Sequence, residues 1–259
     1  MINLKIVIML FFIGISVSFI SCNILTVKGN GNIITSERNV SSFEKIRSGG
    51  SADVCFHVSQ EYRIIVTTDS NLIDVVTTEV SDNTLRIGTK NGNYSFTKIL
   101  VDVYCPVLIG VSISGSGSFD SNEKIVASVF ESNVSGSGNI NGTIECGIFS
   151  ANISGSGKIN TNIICNSLSA YISGSGDITI DGVGIDSNIR ISGSGNFNGI
   201  EFRSNNVTAR VSGSGNMNIW ALENIEATVS GSGTIKYRGT PIINFNGSGS
   251  GKILSEKNL

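Results

Sequence analysis

Residues Asn152–Gly195 read NISGSGKINTNIICNSLSAYISGSGDITIDGVGIDSNIRISGSG and contain three copies of the tetrapeptide Ser-Gly-Ser-Gly. The first glycine of each copy recurs every 19 residues, at Gly155, Gly174 and Gly193. An isoleucine stands two residues before each of these glycines, at Ile153, Ile172 and Ile191. A fixed period of about this length is typical of repeat architectures in which each unit stacks on the next. The period therefore predicts a fold of stacked repeats.

The same tetrapeptide occurs eight times between residues 114 and 251. Its first glycines are Gly115, Gly136, Gly155, Gly174, Gly193, Gly213, Gly231 and Gly249. The intervals between them are 21, 19, 19, 19, 20, 18 and 18 residues. At the C-terminal end, Asn246–Gly249 could serve in place of the last copy, which leaves a two-residue ambiguity there.

Apolar residues hold fixed positions relative to the tetrapeptide. Two residues after its last glycine, all eight copies are apolar: Phe119, Ile140, Ile159, Ile178, Phe197, Met217, Ile235 and Ile253. Just before it, a second column reads Val134, Ile153, Ile172, Ile191, Val211 and Val229. Apolar positions within a copy are two residues apart, as in Phe149, Ala151 and Ile153. Spacing by two predicts β-strands, because successive side chains of a strand point to opposite faces.

A period of about 19 residues is too short for a strand, a crossover helix and a second strand, which need about 30 residues. Short strands joined by tight corners fit that length. We therefore predict an all-β fold, a single-stranded parallel β-helix with about 19 residues per coil and a right-handed path. Successive coils would stack at about 4.8 Å and bury their apolar columns along one axis. The tetrapeptide is expected at a corner, where glycine adopts backbone angles that other residues resist.

Residues 31–110 lack the tetrapeptide but keep strand alternation, for example at Val54, Phe56 and Val58. We interpret 31–110 as longer, less regular coils that begin the solenoid and cap its N-terminal edge, which would otherwise invite aggregation. They would form one continuous domain with the regular repeat at 111–259. A short helical or irregular excursion is expected from Asn71 to Val80.

The N-terminal residues have the pattern of an export signal: Lys5 precedes an apolar run from Ile6 to Ile20. The sequence Phe19-Ile20-Ser21-Cys22 resembles a bacterial lipobox, so we predict a signal peptide at 1–21, lipid on Cys22 and a tether at 22–30. Phe19 and Ile20 depart from the usual Leu and small residue, which keeps an ordinary cleaved signal as the alternative. The expected location is the cell envelope, anchored to a membrane through this lipid, with the outer membrane favoured.

Composition and charge exclude several classes of function. The formal net charge of −2 provides no basic surface for nucleic acid. His57 is the only histidine, which excludes a histidine metal cluster and a histidine-based catalytic triad. Alone beside a strand, His57 is interpreted as structural. The acids of the repeat are scattered over the coil and form no aligned pair, so we predict no catalytic residues, no metal and no cofactor.

Two sets of aligned residues remain as candidates. Cys146 and Cys165 are 19 residues apart and should lie one above the other, either as buried thiols, which we favour, or as a disulfide. An outward column reads Asn133, Asn152, Tyr171, Arg190, Arg210 and Thr228. Within it, Tyr171, Arg190 and Arg210 could bind a carboxylate or a sugar. The alternative, which we favour, is that a neighbouring acid such as Glu226 neutralises Arg210. Trp220 is also expected to point outward.

The ordered motifs of the mature chain resemble a known family. Phe43–Ile46, Ser48–Val54, Leu85–Ile87, the strand ending at Pro106 and the serial Ser-Gly-Ser-Gly copies are similar to the head GIN domain of putative auto-transporter adhesins. The resemblance covers roughly residues 40–250. It implies a parallel β-helix, common in lipoproteins of Gram-negative bacteria, with no established activity and no site residues to transfer.

We therefore expect a non-enzymatic module of the cell envelope that presents a rigid surface for adhesion, to a glycan or to an envelope protein partner. An envelope-structural protein without a ligand is the second hypothesis. A polysaccharide-active enzyme is the third, because parallel β-helices also host such enzymes.

Overall fold

The computed structural model describes residues 25–256 and consists almost entirely of β-strands. The signal peptide predicted at 1–21 and the predicted lipid site Cys22 lie outside the described residues. The regular part contains strands β10–β21: β10 Gly110–Gly115, β11 Ser118–Gly136, β12 Asn139–Gly155, β13 Lys158–Ile164, β14 Ser167–Gly174, β15 Asp177–Val183, β16 Asp186–Gly193, β17 Asn196–Gly213, β18 Asn216–Gly231, β19 Thr234–Arg238, β20 Ile242–Gly249 and β21 Lys252–Ser255. Among residues 25–256, no helix is long and apolar enough to cross a membrane.

The regular strands stack in parallel and in register, one coil on the next. Ile153 is the direct neighbour of Ile172, and Ile172 is the direct neighbour of Ile191. The column that follows the tetrapeptide is continuous from Phe119 to Ile253. The predicted β-solenoid with about 19 residues per coil is confirmed.

The tetrapeptide forms a corner between two strands of each coil. Strands end at its first glycine and the next strand begins after its last glycine, as at Gly155 and Lys158. In seven of the eight copies the first glycine has a φ angle between 120° and 135°, which other residues rarely adopt. Gly249 pairs with Gly231, so Ser248–Gly251 is the last copy and the two-residue ambiguity is resolved.

The inward side chains form one continuous hydrophobic core along the solenoid axis. Aromatic rings of successive coils stack within it, as Phe130 does on Phe149 with centroids 6.2 Å apart and an interplanar angle of 5°. The predicted inward columns are buried, whereas the residues between them face outward. The outward columns are therefore the surface that can meet a ligand.

The N-terminal part contains strands β1–β9: β1 Thr26–Lys28, β2 Ile33–Asn39, β3 Lys45–Gly50, β4 Asp53–Val58, β5 Arg63–Asp69, β6 Val76–Ser81, β7 Thr84–Thr89, β8 Asn93–Ser95 and β9 Ile99–Cys105. Strands β3 and β4 form one coil, and β7 and β9 form another. The coil of β3 and β4 lies between the coil of β7 and β9 and the first regular coil. The order of the coils in space thus differs from their order in the sequence.

Antiparallel strands cover the terminal coil formed by β7 and β9. The sequence pattern did not predict these antiparallel strands. Strand β5 pairs antiparallel with β9, β6 pairs antiparallel with β7, and β2 pairs antiparallel with β5. These pairings satisfy backbone groups that a parallel coil would leave open at its end. The excursion expected at Asn71–Val80 is a 3-10 turn at Ile73–Val75 followed by β6.

Candidate ligand-binding surface

The predicted outward column is continuous and longer than the repeat alone indicated. In register from the N-terminal end, it reads Arg86, Arg47, Ser112, Asn133, Asn152, Tyr171, Arg190, Arg210, Thr228 and Asn246. We call these ten residues the arginine column. For every member except Asn246, the neighbours in sequence are buried or half-buried, so the side chains of the column project outward.

Tyr171, Arg190 and Arg210 are consecutive neighbours in this column, as the sequence predicted. Together with Ser192 and Ser212 they line a shallow groove of about 240 Å³. The side chain of Tyr171 is 42% exposed, so its ring can be reached by a ligand. The structure brings the three predicted residues together.

Glu226 lies close enough to Arg210 to form the ion pair that the sequence predicted as the alternative. One of its carboxylate oxygens lies 3.7 Å from Nη2 of Arg210. Both side chains are well exposed, and ion pairs of this kind contribute little because water and salt screen them. None of the ion pairs among residues 25–256 includes Arg190. Arg190 and Tyr171 therefore stay accessible to an anionic ligand.

Arg47 and Arg86 were not identified from the sequence. They line a second groove of about 180 Å³ with Lys45, Ser112 and Asn133 at the other end of the column. Lys45 Nζ lies 3.3 Å from a carboxylate oxygen of Glu131 on the next coil but one. The repeat pattern could not place Arg47 and Arg86 in the column, because these residues belong to coils whose order in space differs from their order in the sequence.

Trp220 lies at the second corner of the coil, between two arginines of neighbouring coils. Cζ of Arg203 is 5.5 Å from its ring centroid and Cζ of Arg238 is 5.2 Å away. Arg238 also donates to Glu201, 3.1 Å away. Trp220 was expected to be an outward side chain, and it is half-buried in this stack. Its contacts with protein cations make a structural role the simpler interpretation.

Cys146 and Cys165 are free thiols buried beside the core. Burial raises the pKa of Cys146 to about 11 and that of Cys165 to about 12. Thiols with such pKa values stay protonated near neutral pH and are poor nucleophiles and poor metal ligands. They form the buried-thiol arrangement that the sequence favoured.

His57 has chemically active neighbours that the sequence did not indicate. The parallel pairing of β4 with β9 places Asp102 beside Cys55, two residues from His57. One donor atom from each of Cys55, His57 and Asp102 lies within 4.8 Å of the others. Sequence reasoning missed this group because Asp102 is 45 residues from His57 and no motif connects the two strands.

Several solved bacterial structures share this fold. A "Putative lipid binding protein" from Parabacteroides distasonis is 30% identical with a TM-score of 0.86, and the match covers 90% of this chain and 100% of that one. A "putative adhesin" from Parabacteroides merdae is 26% identical with a TM-score of 0.87, over 90% of this chain and 99% of that one. A "putative adhesin" from Bacteroides fragilis, 23% identical with a TM-score of 0.69 over 89% and 100% of the two chains, shares the fold. No curated protein matches the chain in sequence.

The family comparison agrees with the motifs and with the geometry. Residues 42–241 match the family model described as "Putative auto-transporter adhesin, head GIN domain". These residues include the two N-terminal coils and all but the last of the eight corners. The resemblance seen in the sequence is confirmed, and the chain belongs to the head GIN domain family of putative auto-transporter adhesins.

Proposed function

We propose that this protein is a non-enzymatic adhesion module of the cell envelope that binds an acidic glycan along the arginine column. The observation that carries the proposal is the alignment of four arginines in one outward column, with serine, asparagine and tyrosine between them. Membership of an adhesin family supports binding to a partner outside the cell.

The spacing of the arginines fits an extended polymer. Five coil steps separate Arg47 from Arg190, which at about 4.8 Å per step is about 24 Å. A small anion can meet one pair of arginines only, whereas a chain of acidic sugars can meet both pairs at once. Binding at two linked positions raises the overall affinity without new kinds of contact.

The chemistry of the column also fits an acidic sugar. Guanidinium groups bind carboxylates in a planar, two-pronged arrangement, and the exposed ring of Tyr171 offers an apolar face with a polar edge. Because the backbone is already held in hydrogen-bonded strands, only the side chains lose conformational freedom when a ligand binds. These features support recognition by a rigid, preformed surface.

The test compares binding of the full chain with that of an Arg190→Ala/Arg210→Ala variant on an array of acidic and neutral glycans. We expect the full chain to bind acidic glycans and the variant to lose at least tenfold in affinity. Lys124→Ala/Lys158→Ala is the matched control, since it removes two exposed positive charges from other columns. Equal loss in both variants would indicate non-specific attraction and contradict the proposal.

Other outcomes of the same assay decide between the hypotheses. Binding to no glycan, with normal display on cells, would favour an envelope-structural protein. Turnover of an acidic polysaccharide would favour an enzyme. The similar structure from Parabacteroides distasonis is named a putative lipid binding protein, so lipid is the second ligand to test. Vesicles of anionic and of zwitterionic lipids are therefore added to the binding assay. Binding to vesicles alone would contradict the glycan proposal.

We further propose that Cys22 carries the lipid that anchors the module, with the outer membrane as its location. The expected result is incorporation of labelled palmitate into the chain, its loss in Cys22→Ser, and accumulation of the precursor when cells are treated with globomycin. Protease shaving of intact cells tests exposure. Release of the wild-type chain as a soluble, unlabelled protein would show an ordinary cleaved signal instead.

A further inference from the structure

We infer that Cys55, His57 and Asp102 form a binding site for a transition-metal cation of the Zn²⁺ type. The site bridges the outer surfaces of β4 and β9 on two neighbouring coils, apart from the arginine column. It would have Sγ of Cys55, Nε2 of His57 and a carboxylate oxygen of Asp102 as protein ligands, with a fourth position open to water.

The geometry of the two paired strands brings the three side chains together. Cys55 and His57 are two residues apart on β4, so both point outward while Val54 and Phe56 between and before them are buried in the core. Asp102 is the parallel-strand partner of Cys55 on β9 and also points outward. The hydrogen-bonded backbone of two paired strands thus fixes all three residues, rather than a mobile loop.

The distances suit tetrahedral coordination. Nε2 of His57 lies 3.2 Å from Oδ1 of Asp102. With metal–nitrogen and metal–oxygen bonds of about 2.0–2.2 Å, the two ligand atoms of a tetrahedral Zn²⁺ site are about 3.3–3.6 Å apart. The thiol completes a group whose donor atoms all lie within 4.8 Å of each other. To bond one metal ion, the three donor atoms would have to close in from this 4.8 Å limit through changes in their side-chain torsion angles.

Glu123 occupies the position of an outer partner for the histidine. Its Oε1 lies 3.7 Å from Nδ1 of His57, on the side of the ring opposite Asp102. Its Oε2 accepts a hydrogen bond from the backbone N–H of Val58 at 3.1 Å, which holds the carboxylate in place. A carboxylate that accepts a hydrogen bond from the non-ligating ring N–H fixes the tautomer of a metal-bound histidine, and Glu123 would make that bond by moving closer than its present 3.7 Å. Tyr104 stacks on the same ring with centroids 4.6 Å apart and limits its rotation.

The local charge favours a cation. Asp102 and Asp120 flank Cys55 on its two neighbouring strands, and Glu123 lies close to both Cys55 and His57. A divalent cation would offset that negative charge, and the thiol would release its proton to solvent as the metal–sulfur bond forms. The mixture of sulfur, nitrogen and oxygen donors is one that Zn²⁺ accepts and that Mg²⁺ and Ca²⁺ do not favour.

The test titrates the metal-free full chain with Zn²⁺ alone and, in a parallel experiment, with Co²⁺ alone as a spectroscopic probe. We expect one Zn²⁺ per chain, and a Co²⁺ complex with tetrahedral absorption bands and a thiolate-to-metal charge-transfer band. Cys55→Ser should abolish the charge-transfer band, and His57→Ala should abolish tight binding. Glu123→Gln should keep the spectrum and weaken affinity by about 10- to 100-fold.

Matched controls separate this site from other donors. Cys105→Ser removes a buried thiol of the neighbouring coil, and Glu145→Gln removes an exposed acid on a regular coil; neither should change binding. Circular dichroism and the melting temperature of each metal-free variant check that it folds. Zn²⁺ binding that survives in a folded Cys55→Ser/His57→Ala variant would overturn the inference, as would a Co²⁺ complex without a thiolate band.

Discussion

Gly155 shows at the scale of one residue why the tetrapeptide has glycine as its second residue. Its φ angle is 135°, and a Cβ atom added there would lie 2.5 Å from the carbonyl oxygen of Gly136 on the previous coil. We expect Gly155→Ala to lower the free energy of unfolding by about 2–3 kcal/mol, because it combines a strained φ with a clash against backbone. Gly142→Ala is the control: its nearest atom would be 3.7 Å away, so a change within about 0.5 kcal/mol is expected. Urea unfolding measures both, and equal effects would refute the explanation.

The cysteines differ from one another in a way that a chemical probe can detect. Cys105, Cys146 and Cys165 are buried, and burial raises their pKa values to about 12, 11 and 12, whereas Cys55 is partly exposed. Because the reagent must reach the sulfur atom, we expect an alkylating reagent at pH 8 to modify the accessible Cys55 first in the folded protein, even though the pKa of Cys55 is raised as well. The other three should react at comparable rates only in denaturant. Peptide mass spectrometry reads each site, and rapid labelling of Cys165 in the folded state would contradict this.

The single coil is the element of this fold, and the in-register pairing makes it a removable unit. Gly155 and Gly174 are direct neighbours on successive coils, so deleting residues 156–174 would join two equivalent positions. We expect that variant to fold with similar strand content and a lower melting temperature, because stability in a solenoid is close to a sum over coils and their interfaces. Deleting residues 156–165 removes half a coil, leaves a gap in the stack and should prevent folding. Circular dichroism and solubility compare the two, and failure of both would refute the coil as a unit.

Among the strands, the sequence predicted the positions of the regular repeat and missed the pairing of the irregular N-terminal coils. Ile153, Ile172 and Ile191 recur at a fixed interval, so one period was enough to place them in a column, and Tyr171, Arg190 and Arg210 followed from the same alignment. Arg47 and Asp102 belong to coils that do not follow the repeat period and that stack out of sequence order. A single sequence contains no signal for that pairing. The cluster at His57 depends on it entirely, which is why His57 looked isolated.

On the scale of the whole molecule, the two ends of the solenoid differ. At the N-terminal end, antiparallel strands cover the outer coil, and Arg38 of β2 donates to the carbonyl oxygens of Val76 and Ile73 at 2.7 and 2.9 Å. At the other end, β20 pairs only with β18 among residues 25–256, and its side chains are all exposed. The regular stack is therefore capped by a different kind of structure at one end and ends in an open coil at the other.

This asymmetry predicts how the molecule opens. Each coil is stabilised by its neighbours, and the last regular coil has one neighbour where β16 has two. Local opening should therefore begin at β20 and β21 and proceed inward, and amide hydrogens there should exchange much faster than those of β14 and β16. Hydrogen exchange followed by mass spectrometry gives protection for each strand, and we expect it to rise in the order β20, β18, β16. Replacing the exposed Ile242 and Phe245 by lysine should leave the protection of β16 unchanged, because that coil does not contact them. Uniform protection from β14 to β20 would mean that the solenoid opens only as a whole, and the independence of its coils would then have to be abandoned.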